Sequence, residues 1–226
     1  MAEGVVIRPE READHPVIAE VVRAAFVGHP REVASFVERI RESDQSIPEL
    51  ALVAEDSSGV IAHVMLSWVG VEGASRPGIL NLTPMSVRPD RQRIGVGAQL
   101  IRDALGRVEE AGEPAVMVEG IAAYYPRFGF ERASALGFIS PHPTIPDEAF
   151  MVSGDTAPTS PVGSSIRLRS TLSGTNDRPE KRSAATRKTH DDVRLDRPGQ
   201  RWVSDGLSVS TAYGCTVRFD ERGVVT

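Results

Sequence analysis

The sequence predicts an α/β fold with a mixed sheet, followed by a polar C-terminal extension. Residues 5–152 alternate between short β-branched runs and stretches with the apolar spacing of helices. One strand-like run, Leu80–Val87, passes through a glycine-containing turn directly into a helical pattern. Neither the helical nor the strand periodicity of apolar residues continues into residues 170–200. We therefore divide the chain into a domain at residues 1–169 and a tail at residues 170–226.

The domain begins with one strand and two helices. Val5–Ile7 is an apolar, strand-like run. Asp14 is placed to cap a helix that is entered through Pro16, because proline suits the first helical position. Phe36 and Ile40 have helical spacing and predict the second helix.

The rest of the domain predicts strands around one long helix. Leu50–Ala54 and Val60–Val69 form an antiparallel pair around a turn that contains glycine. Helical spacing returns after Leu80–Val87 and its turn, and Gly112 ends that helix. The next strand is Ala115–Val118, followed by a short helix and by a last strand around Met151.

The composition is that of a packed protein from a reducing compartment. Hydrophobic residues make up 40% of the 226 residues, which is enough for a core. A formal net charge of −5 gives no attraction to nucleic acid or to a membrane surface. Cys215 is the one cysteine, and the chain shows neither a signal peptide nor an apolar run long enough to span a membrane. We therefore expect a cytoplasmic protein that binds neither nucleic acid nor membranes.

The tail has the composition of a disordered segment. Residues 170–200 are almost wholly polar, and no helical or strand period survives there. β-like patches resume at Trp202–Val209 and Thr216–Phe219, with too little apolar surface to fold alone.

The segment Gln92–Gly97 predicts an anion site. Its sequence, Gln-Arg-Ile-Gly-Val-Gly, lies between a strand and a helix. The first N–H groups of a helix have no intrahelical partner and carry partial positive charge, and Gly95 and Gly97 let an anion approach the backbone. Arg91 and Arg93 add charge in the same turn. We therefore expect a ligand that carries a pyrophosphate.

The spacing of these residues excludes two common phosphate sites. A P-loop requires a lysine, and the chain has none before Lys181. A dinucleotide-binding turn that starts at Gly95 requires a third glycine where Leu100 stands. The remaining pattern, Q/R-x-x-G-x-G/A after a strand, resembles the acetyl-CoA pyrophosphate loop of the GNAT superfamily of N-acetyltransferases.

Further segments carry the same resemblance in the same order. Tyr124–Phe130, with the sequence YYPRFGF, is similar to the Y-x-x-x-G-F segment of the superfamily and to a bacterial branch of predicted acetyltransferases. That branch tends to carry a histidine in an early strand, here His63, and a late strand such as Phe150-Met151-Val152. The resemblance covers roughly residues 5–152. It implies a GNAT-like mixed, mostly antiparallel sheet flanked by helices, and transfer of an acetyl group from acetyl-CoA to an amine.

The resemblance also implies which residues hold acetyl-CoA. The backbone from Met85 to Val87 holds the pantetheine arm and helps to polarise the thioester carbonyl. Pro84 cannot donate to a ladder, so it predicts a splay that frees this backbone, or else an ordinary bulge in an edge strand. The residues assigned to the pyrophosphate loop are Gln92, Arg93, Gly95, Val96, Gly97 and Ala98.

Two residues are candidates for proton transfer. Tyr125 matches the superfamily position of the general acid that protonates the departing thiolate, and an ordinary tyrosine is protonated at neutral pH. The alternative is an aromatic residue that only packs, which is the role expected of Tyr124. Glu119 could accept a proton directly or through water, and its alternative is a surface carboxylate. His63 is assigned a structural role, and the scattered histidines with a single cysteine predict no metal site.

Two other functions compete with acetyl transfer. A non-catalytic acyl-CoA-binding or regulatory module would keep the loop without chemistry on an acceptor. A small nucleotide-binding domain would use the same anion site, although the P-loop lysine and the third glycine are missing. The acceptor amine has no recognisable code, so small-molecule and peptide amines both stay open, and so does a homodimer.

Overall fold

The computed structural model describes residues 4–28, 30–69, 79–140 and 145–154, and the backbone of short strands at residues 166–167, 207–210 and 216–219. The helices are α1 (His15–Ala25), α2 (Pro30–Arg41) and α3 (Val96–Glu110). The strands are β1 (Val6–Pro9), β2 (Ser46–Asp56), β3 (Gly59–Val69), β4 (Ile79–Val87), β5 (Val116–Glu119), β6 (Glu131–Arg132), β7 (Phe138–Ile139), β8 (Phe150–Ser153), β9 (Ile166–Arg167), β10 (Leu207–Ser210) and β11 (Thr216–Phe219).

Seven of the described strands form one sheet in the order β1-β2-β3-β4-β5-β8-β6. Within this sheet, β4 and β5 are parallel and the other described neighbours are antiparallel. The predicted mixed, mostly antiparallel sheet flanked by helices is therefore confirmed. Two smaller pairings join β7 to β9 in parallel and β10 to β11 antiparallel.

Helices cover the sheet on both sides. Side chains alternate along β3, so that Met65 packs with α1 and α2, whereas Val64 and Leu66 pack with α3. We call these two sides the α1/α2 face and the α3 face. None of the described helices is long and apolar enough to cross a membrane.

The prediction that the Asp14 side chain caps α1 is wrong. Asp14 occupies the position before the helix, but its side chain makes no capping hydrogen bond. The Asp14 carboxylate instead accepts hydrogen bonds from Arg8 Nη1 at 2.6 Å and from the backbone N–H of Arg11 at 2.8 Å. The charged guanidinium on β1 is the stronger partner, so Asp14 ties the start of α1 to the edge of the sheet.

Two boundaries differ from the sequence-based ones. β2 begins at Ser46 and continues past Pro48, with a shift of register before Ala51 that accommodates the proline. In the tail, β10 and β11 overlap the two patches that were predicted to be β-like. The disorder expected at residues 170–200 lies outside the described residues.

Candidate active site

A gap opens in the sheet between β4 and β5. The two strands pair at Leu80–Val116 and Asn81–Met117. Beyond Asn81, β4 stays paired with β3 and β5 stays paired with β8. A register shift relative to β3 accompanies Pro84 at this point, so the predicted splay and a bulge are both present. The gap is therefore wedge-shaped, with Asn81 at its closed end.

The backbone of β4 faces this gap at two residues. Arg88 N–H donates to Ile61 O at 2.8 Å, and the register places Val87 opposite Ala62 and Met85 opposite Val64. Because hydrogen-bonded residues alternate in an antiparallel ladder, the N–H and C=O groups of Met85 and Val87 point away from β3 and into the gap. The position is the one that an added strand would occupy.

The turn before α3 contains two residues with left-handed backbone conformations and is hydrogen-bonded to the end of β4. Arg93 and Gly95 both have left-handed backbones, with φ of 63° and 93°. For arginine this conformation is strained, and strain of this kind persists at ligand-binding turns. The amide of Gln92 donates from Nε2 to Val87 O at 3.0 Å, which ties the turn to the end of β4. The unpaired N–H groups at the start of α3 are thereby held beside the open end of the gap.

Gly97 keeps the open end of the gap clear. A Cβ at this position would lie 3.2 Å from Val87 Cγ2, 3.5 Å from Met85 Sδ and 3.5 Å from the hydroxyl of Tyr124. A larger side chain would therefore fill the space between α3 and β4. This close approach explains why glycine is needed here in addition to the left-handed Gly95.

The arginines of the turn are not equivalent. Arg91 pairs with Asp56 at 3.0 Å and with Asp90 at 2.8 Å, so its charge is largely neutralised within the protein. Hydrogen bonds from Ser58 and the Arg91 guanidinium lower the pKa of Asp56 to about 2. Arg93 is exposed and forms no ion pair with any carboxylate in the described ranges. Arg93 is therefore the charge that remains available to an anion.

Tyr125 lies against the end of β5. It begins a short 3-10 turn, Tyr125–Phe128, and only 7% of the residue is exposed. Its ring lies over Gly120, where a Cβ would overlap it, and packs edge-on against Phe130. Burial raises the pKa of Tyr125 above its ordinary value, so its hydroxyl is a hydrogen-bond donor throughout the neutral range.

Tyr124 packs through its ring and places its hydroxyl near the start of α3. Its ring contacts Tyr125 and Phe128 edge-on, and the Arg127 guanidinium lies 4.6 Å from its centroid. Its hydroxyl reaches the space beside Gly97. The two tyrosines therefore differ in their contacts: the Tyr124 hydroxyl lies near the start of α3, and the Tyr125 ring lies over Gly120, directly after β5.

Glu119 ends β5 and lies partly exposed. Met117 packs with the apolar cluster that also contains Val69 and Ile79, and Val118 packs on the α3 face. Alternation therefore puts Glu119 on the same side as Met117, which is the α1/α2 face. Tyr125 belongs to the cluster of the α3 face. The two candidates for proton transfer thus approach the gap from opposite faces of the sheet.

Comparison with known proteins decides the family. Residues 6–133 match the family model described as an acetyltransferase (GNAT) domain. The chain belongs to the GNAT acetyltransferase family. This confirms the predicted family and the predicted class of enzyme, an acyltransferase.

Relatives within the GNAT family are similar over most of their length. The chain is 34% identical to the uncharacterized N-acetyltransferase YjhQ of Escherichia coli K12 over 139 residues, which are 61% of this chain and 75% of YjhQ. The solved GNAT structure of YhbS from Escherichia coli, in complex with CoA, has a TM-score of 0.64 and 29% identity, covering 73% of this chain and 89% of YhbS. A GNAT acetyltransferase from Brucella melitensis, in complex with acetyl-CoA, has a TM-score of 0.58 and 27% identity, covering 74% of this chain and 96% of that one.

The structure brings the sequence-predicted residues of this GNAT domain to one gap. Met85 and Val87 lie on β4, and residues 92–98 form the turn and the start of α3. Glu119 is the last residue of β5, and Tyr125 lies in the short turn that follows. His63 lies elsewhere, buried on the α1/α2 face, with its Nε2 2.9 Å from Glu10 Oε2. Within the described ranges, no group of three or more His, Cys, Asp or Glu side chains is arranged to hold a metal ion.

Sequence reasoning missed two buried polar residues of the α1/α2 face, Ser67 and Asn81. Ser67 and Asn81 meet across β3 and β4 at the closed end of the gap. Each is a polar residue in a largely apolar strand, which is a signal that the sequence does contain. What the sequence does not contain is the register that places the two side by side.

Proposed function

We propose that the protein transfers the acetyl group of acetyl-CoA to a primary amine, which attacks the thioester directly. The observation that carries this proposal is the gap between β4 and β5, with the backbone of Met85 and Val87 facing it and the start of α3 beside its open end. An extended ligand with a pyrophosphate at one end fits both features. The CoA and acetyl-CoA complexes of the two GNAT relatives support the same ligand here.

In this proposal the turn and α3 bind the pyrophosphate. The N–H groups of Gly95, Val96, Gly97 and Ala98 donate to it, and Arg93 adds the unpaired charge. The hydrogen bond from Gln92 Nε2 to Val87 O fixes the turn on β4. The N–H donors are therefore already in position before the ligand binds. The pantetheine arm then runs along β4, where Met85 and Val87 supply main-chain hydrogen bonds of the kind that an added strand would make.

The proposed reaction needs one donor and one acceptor of protons. The amine nitrogen attacks the carbonyl carbon and forms the N–C bond, while main-chain N–H groups of β4 stabilise the negative oxygen. The C–S bond then breaks, its electron pair goes to sulfur, and the hydroxyl of Tyr125 donates a proton to that sulfur as general acid. Glu119 takes the proton that the new amide nitrogen loses, directly or through water. Tyr125 and Glu119 lie on opposite faces of the sheet, which supports this division of roles.

The acid role of Tyr125 is tested by removing its hydroxyl. We expect Tyr125→Phe to lower kcat by about 100-fold, the usual scale for one acid–base group, with little change in KM for acetyl-CoA. Tyr124→Phe is the matched control, because it removes a hydroxyl that lies beside Gly97 rather than at the end of β5. We expect it to leave kcat nearly unchanged. The measurement is thiol release with a panel of primary amines.

The same assay separates the competing functions. Equal, small losses in both tyrosine variants would mean that neither hydroxyl takes part in the chemistry. Acetyl-CoA binding without turnover on any amine, measured by calorimetry and thiol release, would favour the non-catalytic acyl-CoA-binding module. A folded protein with no affinity for acetyl-CoA would contradict both.

A further inference from the structure

Two buried polar side chains lie side by side at the closed end of the gap. Ser67 on β3 is directly opposite Asn81 on β4, and they are 0% and 5% exposed. Opposite residues in an antiparallel pair point to the same face and place their Cβ atoms about 5 Å apart. Asn81 is also the residue at which β4 last pairs with β5. The pair therefore borders the point where the gap begins.

One oxygen of each side chain lacks a hydrogen-bond partner. Ser67 Oγ and Asn81 Oδ1 are buried, and neither atom has a partner among the described residues. A buried polar atom without a partner costs about 1–3 kcal/mol of stability, so buried polar groups are nearly always paired. Two such atoms on adjacent strands indicate a site whose partner is supplied by a ligand.

The surroundings of this pair are mainly apolar, although Ser46 on β2 lies opposite Ser67. Met65, one step along the same face, packs with α1 and α2, while Val69 and Ile79 belong to a second apolar cluster. Phe26, directly after α1, packs against both clusters. Ser67 and Asn81 are thus two hydrogen-bonding atoms in a hydrophobic setting.

The face of the sheet on which Ser67 and Asn81 lie indicates which reactant they can contact. Ser67 alternates with Met65 and Val69, so the pair is on the α1/α2 face, together with Glu119. The start of α3 and Tyr125 are on the other face. If the thioester enters the gap from the α3 side, an amine has to reach it from the α1/α2 side, past Ser67 and Asn81.

We propose that Ser67 Oγ and Asn81 Oδ1 accept the N–H groups of the acceptor amine and turn its lone pair towards the thioester, and that the acceptor is a primary amine on an apolar carbon skeleton. This inference rests on the proposed acetyl transfer and deepens it. The two oxygens are neutral, so they hold an uncharged amine without the strong preference for an ammonium ion that a carboxylate would impose. An amine must be uncharged to attack. Phe26, which is only partly buried where the two apolar clusters meet, would contact the carbon skeleton.

The test removes each oxygen and keeps the shape of the site. Ser67→Ala deletes one atom, and Asn81→Leu replaces the amide with an apolar group of similar size. Ser43→Ala is the control, because Ser43 is a partly buried serine outside β3 and β4 whose hydroxyl has a partner and donates to Ile40 O at 2.8 Å. For each variant, calorimetry gives acetyl-CoA affinity, a melting curve gives Tm, and thiol release gives kcat and KM for 2-phenylethylamine and for spermidine.

We expect Ser67→Ala and Asn81→Leu to lower kcat/KM for 2-phenylethylamine by about tenfold each, mainly through KM, since each loses one hydrogen bond to the amine. Acetyl-CoA affinity should be unchanged. Tm should hold or rise, because an unpaired buried polar atom has been removed. A residue with only a structural role would instead lower Tm and leave KM alone. Ser43→Ala should retain wild-type kinetics.

Several results would overturn the inference. Unchanged kinetics in Ser67→Ala would do so, and this variant decides alone if Asn81→Leu fails to fold. Wild-type protein that binds acetyl-CoA but does not acetylate 2-phenylethylamine, or that prefers spermidine, would refute the inference and leave the acetyl-CoA site intact. Wild-type protein without affinity for acetyl-CoA would instead refute the proposed function.

Discussion

The α3 face and the α1/α2 face of the sheet differ in what they bury. The α3 face joins β-strands to α3 through aliphatic and aromatic side chains, and most of its candidate contacts to acetyl-CoA are main-chain groups. The α1/α2 face carries the four buried polar residues of the described chain, His63, Ser67, Asn81 and Ser86. The sheet therefore combines mainly main-chain candidate contacts on the α3 face with buried polar side chains on the α1/α2 face.

The charged network of the α1/α2 face gives the largest expected effect. Glu10 is 8% exposed and accepts hydrogen bonds from Arg41 at 2.7 and 2.9 Å. We expect Glu10→Gln to lower the free energy of unfolding by about 3 kcal/mol, because it leaves a buried guanidinium poorly compensated. Glu38→Gln is the control, since Glu38 binds the same Arg41 but is 45% exposed, and should cost less than about 1 kcal/mol. Equal losses in urea unfolding would remove the distinction between buried and surface charge.

The same network predicts how stability depends on pH. Burial lowers the pKa of His63 below 6.5, so near pH 6.5 the unfolded chain binds a proton at His63 more readily than the folded chain does. The free energy of unfolding therefore starts to fall as pH drops through 6.5. Burial raises the pKa of Glu10, but hydrogen bonds from Arg41 and His63 outweigh it and lower that pKa from 4.5 to about 2. The contribution of Glu10 is therefore complete above 4.5 and disappears as pH falls towards 2. In Glu10→Gln this second loss should be absent from urea unfolding measured across pH.

A substitution in α3 tests the backbone chemistry of the other face. Gly97→Asp puts a side chain and a negative charge where the pyrophosphate is proposed to lie, so we expect acetyl-CoA affinity to fall by about 100-fold or more. Gly106→Asp makes the same chemical change in the same helix, where a Cβ meets nothing within 4 Å. Its affinity should match wild type. Calorimetry on folded Gly97→Asp with unchanged affinity would show that the ligand does not bind at the start of α3.

A smaller effect separates the two arginines of the turn. Arg93→Gln should weaken acetyl-CoA binding about threefold, because an exposed charge contributes little, and the loss should shrink as salt is added. Arg91→Gln should weaken binding less, since Arg91 is already paired with Asp56 and Asp90. Calorimetry at low and high salt measures both. A larger loss in Arg91→Gln would mean that its carboxylate partners release it to the ligand.

The smallest expected effect concerns the tail. A chain that ends after Leu172 keeps β9, whose backbone pairs with β7. We expect its Tm and its acetyl-CoA affinity to stay close to those of the full chain, because few apolar contacts can be lost from so polar a segment. Proteolysis should cut first within residues 170–200. Aggregation of the shortened chain, or loss of acetyl-CoA binding, would instead make the tail part of the domain.

The features of the α3 face were predictable because they are local in sequence. Gly95 and Gly97 lie in the turn that they shape, and the absence of a third glycine at Leu100 excluded a dinucleotide-binding turn. Pro84 likewise marked the strand that leaves its neighbour. Local patterns of this kind report backbone conformation directly, so the loop, α3 and the open strand were all anticipated.

The features of the α1/α2 face depend on contacts between distant residues. Asp14 was predicted to cap α1 from its position, but Arg8 on β1 binds its carboxylate instead. Glu10 and His63 are 53 residues apart and meet only when β1 and β3 are in the same sheet. Pairing of Ser67 with Asn81 requires the register of two strands. No periodicity in the sequence specifies these partners.

The open edge of β4 has a consequence for how such a protein can diverge. If acetyl-CoA is held by the N–H and C=O groups of Met85 and Val87, another strand-forming side chain at either position leaves those groups in place. Descendants of one ancestral chain could therefore alter much of β4 and retain the same acyl donor. New amines would be acquired separately, by changes around Ser67 and Asn81 on the opposite face, without disturbing the donor side.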